Sequence, residues 1–543
     1  MPITLKKNFL SIISMVAILI TNSVNACALV PAKKKGISLE SRRQLATDAF
    51  GSCGDSVNYT FTANNGELKI SGTGAMANYS SSGFGADTPW NSLRYYIKSV
   101  KIEEGVTHIG DNAFYFCSGL SSADLSKSII SIGNSAFQYT DLTSIDITEN
   151  VKNIGKDAFL GCKLTSVEIP KSIKVISCGM FYRCEELKSV TIPESVTTIE
   201  DRAFSSCKKL CSINITENVT SIGKRAFEYC EELVSISIPS GISNIEDGTF
   251  YNCKKLKSII IPNKVSNIGS NAFGGCSNLT SITIPNNVIN IGSSAFQSSG
   301  LKTIAIPNGV QTIGDYAFSD CPNLTSANIS DSVINITAQA FNNNYLDSIN
   351  VSENNANYKS IDGILFSKDQ KILIRCPTKK SDELTVSEGT LEIGEDAFWG
   401  CEQLKLVKLP TTLFSICANA FRSCSGLTEV LAIPGSVATI GECAFYYCIG
   451  LNSIIIPNSV KIINSSAFGC CNNLNFVTYG GNSDPGASSS NVFFNCNKLK
   501  EVLVPANYKN STFCGLPIKK IFVTKNYRPV LLKFRKYAPV LML

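Results

Sequence analysis

Twenty-two cysteines and a single histidine stand in this chain of 543 residues. Thiols can pair as disulfides, hold zinc, or attack as thiolates. Their spacing decides among these. Thirteen stand three residues after a phenylalanine that itself recurs: Cys117, Cys162, Cys184, Cys207, Cys230, Cys253, Cys276, Cys321, Cys401, Cys424, Cys448, Cys471 and Cys496. Equivalent residues in a row do not converge on one point, so a tetrahedral zinc site is poorly served. One cysteine per repeat unit is instead a packing position, where a free thiol behaves as a small buried hydrophobe. Thr140, Ser299 and Asn344 replace it in three units, so a small side chain able to hydrogen-bond the turn suffices. The other nine, Cys27, Cys53, Cys178, Cys211, Cys376, Cys417, Cys443, Cys470 and Cys514, are the better disulfide candidates, in pairs the sequence leaves open.

Other catalytic chemistry finds little support. His108 occupies a variable repeat position that elsewhere holds Lys, Thr, Ser or Asn. Serine is abundant, but a nucleophile needs a base beside it. No G-x-S-x-G, H-E-x-x-H or phosphate-binding glycine loop falls in a fitting context. The expectation is a protein that is not an enzyme and needs no cofactor or metal.

The elements that must carry these residues repeat on a fixed interval. The phenylalanines run Phe114, Phe137, Phe159, Phe181, Phe204, Phe227, Phe250, Phe273, Phe296, Phe318 and Phe341, then Phe398, Phe421, Phe445 and Phe468, with Phe493 or Phe494 closing the series. Such regularity argues for a solenoid of stacked coils. Within Leu187 to Cys207, Val190 and Ile192 alternate with Ser189 and Thr191, the period of a short strand. Pro193 ends that strand, because it cannot donate to a ladder. Val196 and Ile199 point inward from a more extended segment. In the next unit Gly223 marks a corner read as needing backbone freedom. Ala203 and Phe204 are expected on a short helical or 3-10 turn. About sixteen coils at strand spacing give a rod or arc on the order of 75 Å long. The fold class is therefore an α/β repeat solenoid, mostly parallel β with short turns or helical segments, curved or arc-shaped.

The unit L-x-x-I-x-I-P-x-x-V-x-x-I-G-x-x-A-F-x-x-C resembles the 23-residue leucine-rich repeat of the BspA-like surface proteins, from about Ile97 to Leu503. The stretch from Gly51 to Trp90, "GSCGDSVNYTFTANNGELKISGTGAM…PW", is similar to the N-terminal cap of that family. By its residues it reads as a hairpin, with Tyr59 to Phe61 and Leu68 to Ile70 flanking Asn65-Gly66. Between Phe341 and Phe398, "YKSIDGILFSKDQKILIRCP" reads as an inserted hairpin. The resemblance implies a curved solenoid at a cell surface that binds host or microbial partners. Some members act as adhesins. Many protist members carry a C-terminal membrane helix, a pattern from which this chain departs.

The termini carry their own signals. Lys6 and Lys7, the apolar run Phe9 to Ile20, and Val24-Asn25-Ala26 before Cys27 read as a secretory signal peptide. An uncut anchor or a lipoprotein signal acylated at Cys27 are the other readings. No other window holds about eighteen apolar residues, so no transmembrane helix is expected. The sequons at Asn58, Asn78, Asn214, Asn218, Asn278, Asn323, Asn328, Asn335, Asn350, Asn464 and Asn510 agree with export. The net charge of +6 is concentrated from Lys519 onward, where seven basic residues meet no acidic one. No basic stripe runs along the body, so no nucleic-acid partner is expected. The tail reads either as a membrane-surface contact or as a cap strand with a disordered terminus. The organisation is therefore residues 1–26 signal peptide, 27–96 leader and cap, 97–350 repeats, 351–386 inserted hairpin, 387–504 repeats, and 505–543 cap and basic tail.

Two rows of side chains between the inward apolar ones face the concave side. One is nearly all serine, a hydroxyl ladder of structural kind. The other varies, as partner specificity would require, and supplies the candidate binding residues Asp124, Asp146, Glu168, Thr191, Asn214, Ser237, Asn328 and Asn350. The acids Asp124, Asp146 and Glu168 would attract a basic partner or a divalent cation, or would form a plain solvated patch. Ile260 and Ile455 add apolar area. The leading function is a secreted or cell-surface adhesin that contacts extracellular protein or glycan ligands, such as host matrix or cell-surface proteins. The alternative is a coat protein that self-associates without an outside ligand.

Overall fold

The structure is a computed structural model describing residues 47–342, 344–428 and 431–521. The segment read as a signal peptide, Cys27 and the tail beyond Ile521 lie outside the described residues. The chain divides after Thr47, and the unit that begins at Asp48 holds the repeats.

Each coil contributes two short strands, and these stack in parallel on their equivalents in neighbouring coils. Ser189–Thr191 pairs with Ser166–Glu168 so that Val190 meets Val167. Alternation buries the valines and leaves Ser189 and Thr191 exposed. Pro193 closes this strand, and its carbonyl accepts the Val196 N–H at 3.1 Å in a turn. The extended segment after that turn forms a second ladder: Thr198–Ile199 lies between Val175–Ile176 and Ser221–Ile222. The chain then turns inward through Ala203, Phe204 and Cys207, all fully buried.

That inward turn is not helical, which corrects the α/β and helical-segment expectation. Among the described residues there is no α-helix, and 3-10 turns occur only at Asn91–Leu93 and Ala338–Phe341. The physical reason lies in where the amides go. The N–H groups of Arg202, Phe204 and Ser206 donate to Lys224, Ala226 and Glu228 of the next coil, at 2.9, 2.9 and 2.6 Å. They are thus unavailable for the i−4 bonds a helix requires. Arg202 and Ser206 also take positive φ angles of 55° and 60°, outside the right-handed helical region. The architecture is a parallel-strand β-solenoid.

The phenylalanines form its spine. Phe181, Phe204, Phe227 and Phe250 are fully buried, and their rings stack at 5.5, 5.5 and 5.8 Å with interplanar angles of 6–11°. Burying one such ring contributes roughly 2–3 kcal/mol, and each stacked pair about 0.5–1.5 kcal/mol more. Gly223 has a different role from the one its sequence suggested. Its φ is not positive, but a Cβ there would lie 2.5 Å from the Asp201 backbone nitrogen. The glycine lets two coils approach closely. Backbone freedom is demanded instead at Arg225 and Tyr229, with φ of 57° each.

The first coil is closed by a hairpin. Val57–Thr62 and Glu67–Gly72 pair antiparallel about Asn65-Gly66, and Glu67–Gly72 continues in parallel onto Ser99–Ile102. Trp90 is fully buried, stacks on Phe114 at 5.9 Å, and donates from Nε1 to the Ala113 carbonyl at 2.9 Å. Between Phe341 and Phe398 the strands Tyr358–Ile361, Ile364–Ser367 and Ile372–Arg375 form an antiparallel meander. The last of them rejoins the second ladder in parallel at Glu392–Ile393. At the far end Leu516–Ile521, carrying Lys519 and Lys520, pairs in parallel with Val502–Pro505. Among the described residues no helix is long and apolar enough to cross a membrane.

Candidate binding face

The recurring cysteines resolve into a hydrogen-bonded ladder. The Sγ atoms of Cys184, Cys207, Cys230, Cys253 and Cys276 reach the Phe carbonyl of the preceding coil, at Phe159, Phe181, Phe204, Phe227 and Phe250, over 3.1–3.2 Å. The thiol donates and the carbonyl accepts. Asn344 Nδ2 makes the equivalent bond to the Phe318 carbonyl at 2.8 Å, whereas Thr140 Oγ1 turns to the Phe137 carbonyl of its own coil at 2.9 Å. Burial pushes the thiols of Cys117, Cys162 and Cys276 up to about 12 from the ordinary 9.0. These thiols are therefore neutral and inert near neutral pH. All described cysteines are free, including eight of the nine that the sequence marked as disulfide candidates.

The lone histidine does find a serine. His108 Nδ1 lies 2.8 Å from Ser131 Oγ, and Nε2 lies 3.1 Å from Asn78 Oδ1. Ser131 and His108 are rung partners in the second ladder, the relation that also pairs Asn290 with Thr312. Burial lowers the His108 pKa. The orienting group is an amide oxygen that also accepts the Asp111 N–H at 2.8 Å. The contact is thus accounted for as a rung.

All eight candidate binding residues are exposed on the first-strand side of their coils. The ladder joins some of them directly. Glu168 is the register partner of Thr191, and Asn328 of Asn350, whose Nδ2 donates to Asn328 Oδ1 at 3.0 Å. Asn214 and Ser237 come one residue after the strands Ser212–Ile213 and Ser235–Ile236. The three acids are not brought together in one ladder. Asp124 pairs with Lys101, Asp146 lies outside any strand, and Glu168 starts a separate sheet. Among the described residues no three His, Cys, Asp or Glu side chains are placed to share a metal ion.

The candidate set omitted the basic residues at the start of this row. Lys69 of the cap hairpin is the register partner of Lys101, which is the partner of Asp124. Lys69 also bonds Glu103 at 2.7 Å. Lys101 lies one repeat step before Asp124 and could have been added from register alone. Lys69 could not, because the cap does not follow the repeat. Ile260 is 84% exposed on the same face, as expected for a contact residue. Phe476, in the serine row beside Ser453, is exposed as well.

Several solved structures are similar to this chain. A leucine-rich repeat protein from Eubacterium ventriosum is 24% identical, with 74% of this chain and 95% of that one covered and a TM-score of 0.41. One from Bacteroides ovatus is 24% identical, with 86% and 99% covered and a TM-score of 0.41. A leucine rich cell surface protein from Faecalibacterium prausnitzii is 23% identical, with 83% and 93% covered and a TM-score of 0.31. No curated protein matches the chain. The family model for the BspA type leucine rich repeat region matches residues 93–187, 152–279, 243–373, 377–500 and 420–530. With most of residues 93–530 matched, the chain belongs to the BspA-type leucine-rich-repeat family.

Proposed function

We propose that this protein is an exported or cell-surface binding protein, an adhesin that engages extracellular protein or glycan ligands through the first-strand face of its solenoid. One observation carries the reading. A row of unlike side chains, Asp124, Asp146, Glu168, Thr191, Asn214, Ser237, Asn328 and Asn350, stands exposed beside a nearly uniform serine row. The serine row serves the stack. Nothing in the packing demands that the neighbouring row vary, and variation on a fixed scaffold is what recognition uses. The acids Asp124, Asp146 and Glu168 suit a basic partner surface, and Ile260 supplies apolar contact further along. Export rests on the sequence features before Cys27, and membrane contact through the basic tail remains part of the proposal.

The test uses the secreted full chain. Retention is measured on immobilised matrix proteins, mucins and whole cells, with the triple variant Asp124→Lys, Asp146→Lys, Glu168→Lys beside the native chain. These side chains are exposed, so the fold should survive. Retention of the native chain and a loss of about tenfold or more in the variant are expected, equivalent to about 1.4 kcal/mol. No retention on any surface, or equal retention by both chains, removes the proposal for this face.

A further inference from the structure

Four consecutive coils carry paired charges of alternating sign on the turn just after the buried cysteine. Glu185 and Glu186 come after Cys184, Lys208 and Lys209 after Cys207, Glu231 and Glu232 after Cys230, and Lys254 and Lys255 after Cys253. Backbone bonds hold these turns in order: Lys209 donates to Glu185 at 3.2 Å, Glu232 to Lys208 at 3.1 Å, and Lys255 to Glu231 at 3.1 Å. Ion pairs join the first coil to the second and the third to the fourth. Lys208–Glu185 spans 2.9 Å, Lys209–Glu186 2.6 Å, Lys254–Glu231 3.1 Å and Lys255–Glu232 2.5 Å. All eight side chains keep between a third and a half of their surface open to solvent. Their free sides can therefore meet a second set of charges.

The order of signs has a property that decides the partner. Read from one end the coils run acid, base, acid, base; read from the other they run base, acid, base, acid. Reversal yields the complement. A second copy of the chain laid antiparallel, with a two-fold axis between the coils of Lys208 and Glu231, sets every pair against its opposite. Lys208 and Lys209 then face Glu231 and Glu232 of the other copy, and Glu185 and Glu186 face its Lys254 and Lys255. A parallel, in-register copy would set like on like throughout. Beside the charges, in the same two coils, stand Val234, 39% exposed, and Cys211, the one exposed cysteine among the described residues. The Val234 N–H bonds the Cys211 carbonyl at 3.1 Å, so the two sit on adjacent rungs. The axis passes between them, which places each Cys211 against Val234 of the other copy. The one like-charge meeting, Lys188 with Lys257, falls in the outer coils, where Lys188 is beside Glu186.

We propose that this charge-alternating turn surface is an isologous self-association site whose partner is a second antiparallel copy of the chain. Two-fold symmetry closes the contact at two copies. Exposed ion pairs are individually weak and screened by salt, so the dimer is reversible and salt-sensitive.

Sedimentation equilibrium of the full chain tests the site at about 50 and 500 mM salt. A dimer whose dissociation constant rises about tenfold or more at the higher salt is expected. A short bismaleimide should trap it through Cys211, and Cys211→Ser should remove the crosslink but leave sedimentation unchanged. The variant Glu231→Lys, Glu232→Lys sets lysines against lysines across the axis and should be monomeric. Adding Lys208→Glu and Lys209→Glu restores every pairing between copies while creating like-charge neighbours within the chain. The quadruple variant should therefore dimerise again, which mere damage to the fold would not allow. A monomer at both salts, a dimer untouched by the double variant, no recovery in the quadruple variant, or a dimer without the Cys211 crosslink would each overturn the assignment.

Discussion

The recurring thiol is the smallest unit of this fold, and its role rests on one bond. Cys253 Sγ donates to the Phe227 carbonyl at 3.2 Å in a fully buried site. Losing that bond leaves the carbonyl with only the Cys230 N–H, which donates to it at 3.2 Å. Cys253→Ala should therefore cost about 2 kcal/mol, from the lost volume and the lost thiol bond. Cys253→Ser keeps a donor for that carbonyl and should cost about half as much. Urea unfolding of the three chains measures the order. The thiols also predict a pH dependence. Their folded pKa lies above the unfolded one, so the stabilisation is complete below the ordinary 9.0 and fades as pH rises towards about 12. Each such thiol removes about 1.4 kcal/mol per pH unit across that window. Thermal melts should be level between pH 6 and 8 and fall steeply above 9, and no fall up to pH 11 would contradict a buried thiol ladder. The packing role of these cysteines was legible because one position recurred and its replacements were all small and polar. The donor–acceptor pairing was not, since it joins residues such as Cys253 and Phe227, 26 apart, whose contact depends on how far one coil slides over the next.

At the scale of the coil, the sequence disclosed the first strand, the proline stop and the buried phenylalanine. It misjudged the inward turn and the glycine. Ala-Phe resembles a helical turn by composition. Yet the amides of Arg202, Phe204 and Ser206 are drawn to the next coil, and that competition is invisible within one repeat. The same blindness hid the reason for Gly223, whose missing side chain makes room for Asp201. Gly223→Ala should cost about 2 kcal/mol or more, because the atom it meets is backbone. Gly241→Ala is the control: its Cβ would come within 3.7 Å of Thr220 Cγ2, an ordinary contact, so it should stay within about 0.5 kcal/mol. Equal melting temperatures for the two variants would show that coil contact does not demand the glycine. The candidate face shows the same division. Exposure of all eight residues was legible from the strand period. That Asp124, Asp146 and Glu168 share no single ladder was not, because it depends on where the first ladder breaks.

For the unit as a whole, stability is a sum over neighbouring coils, and the ends are its weak points. Trp90 closes the phenylalanine column at the first coil, with Tyr59 and Tyr79 edge-on to it at 5.3 and 5.9 Å. Trp90→Ala should cost about 3–5 kcal/mol, felt first near Phe114. Hydrogen exchange should show early loss of protection at Ser99–Ile102 and Ser122–Leu125 with Phe227 and Phe250 unaffected, whereas a uniform loss would mean the coils unfold as one. The cap hairpin was readable from Asn65-Gly66. The tryptophan's place on top of the column was not, as it stands outside the repeat. At the meander Arg375 is fully buried, and its guanidinium donates to the carbonyls of Asp396 and Trp399 at 2.5 and 3.1 Å. A lone arginine in an inserted segment gave no sign of this.

Because each Cys-to-carbonyl bond ties one coil to the coil before it, the chain should respond to tension in steps. A tether drawn from one end would peel a single turn of about 23 residues at a time, each freeing about 75 Å of slack. Many modest barriers in series would then absorb a pull that one large core would resist and abruptly yield to.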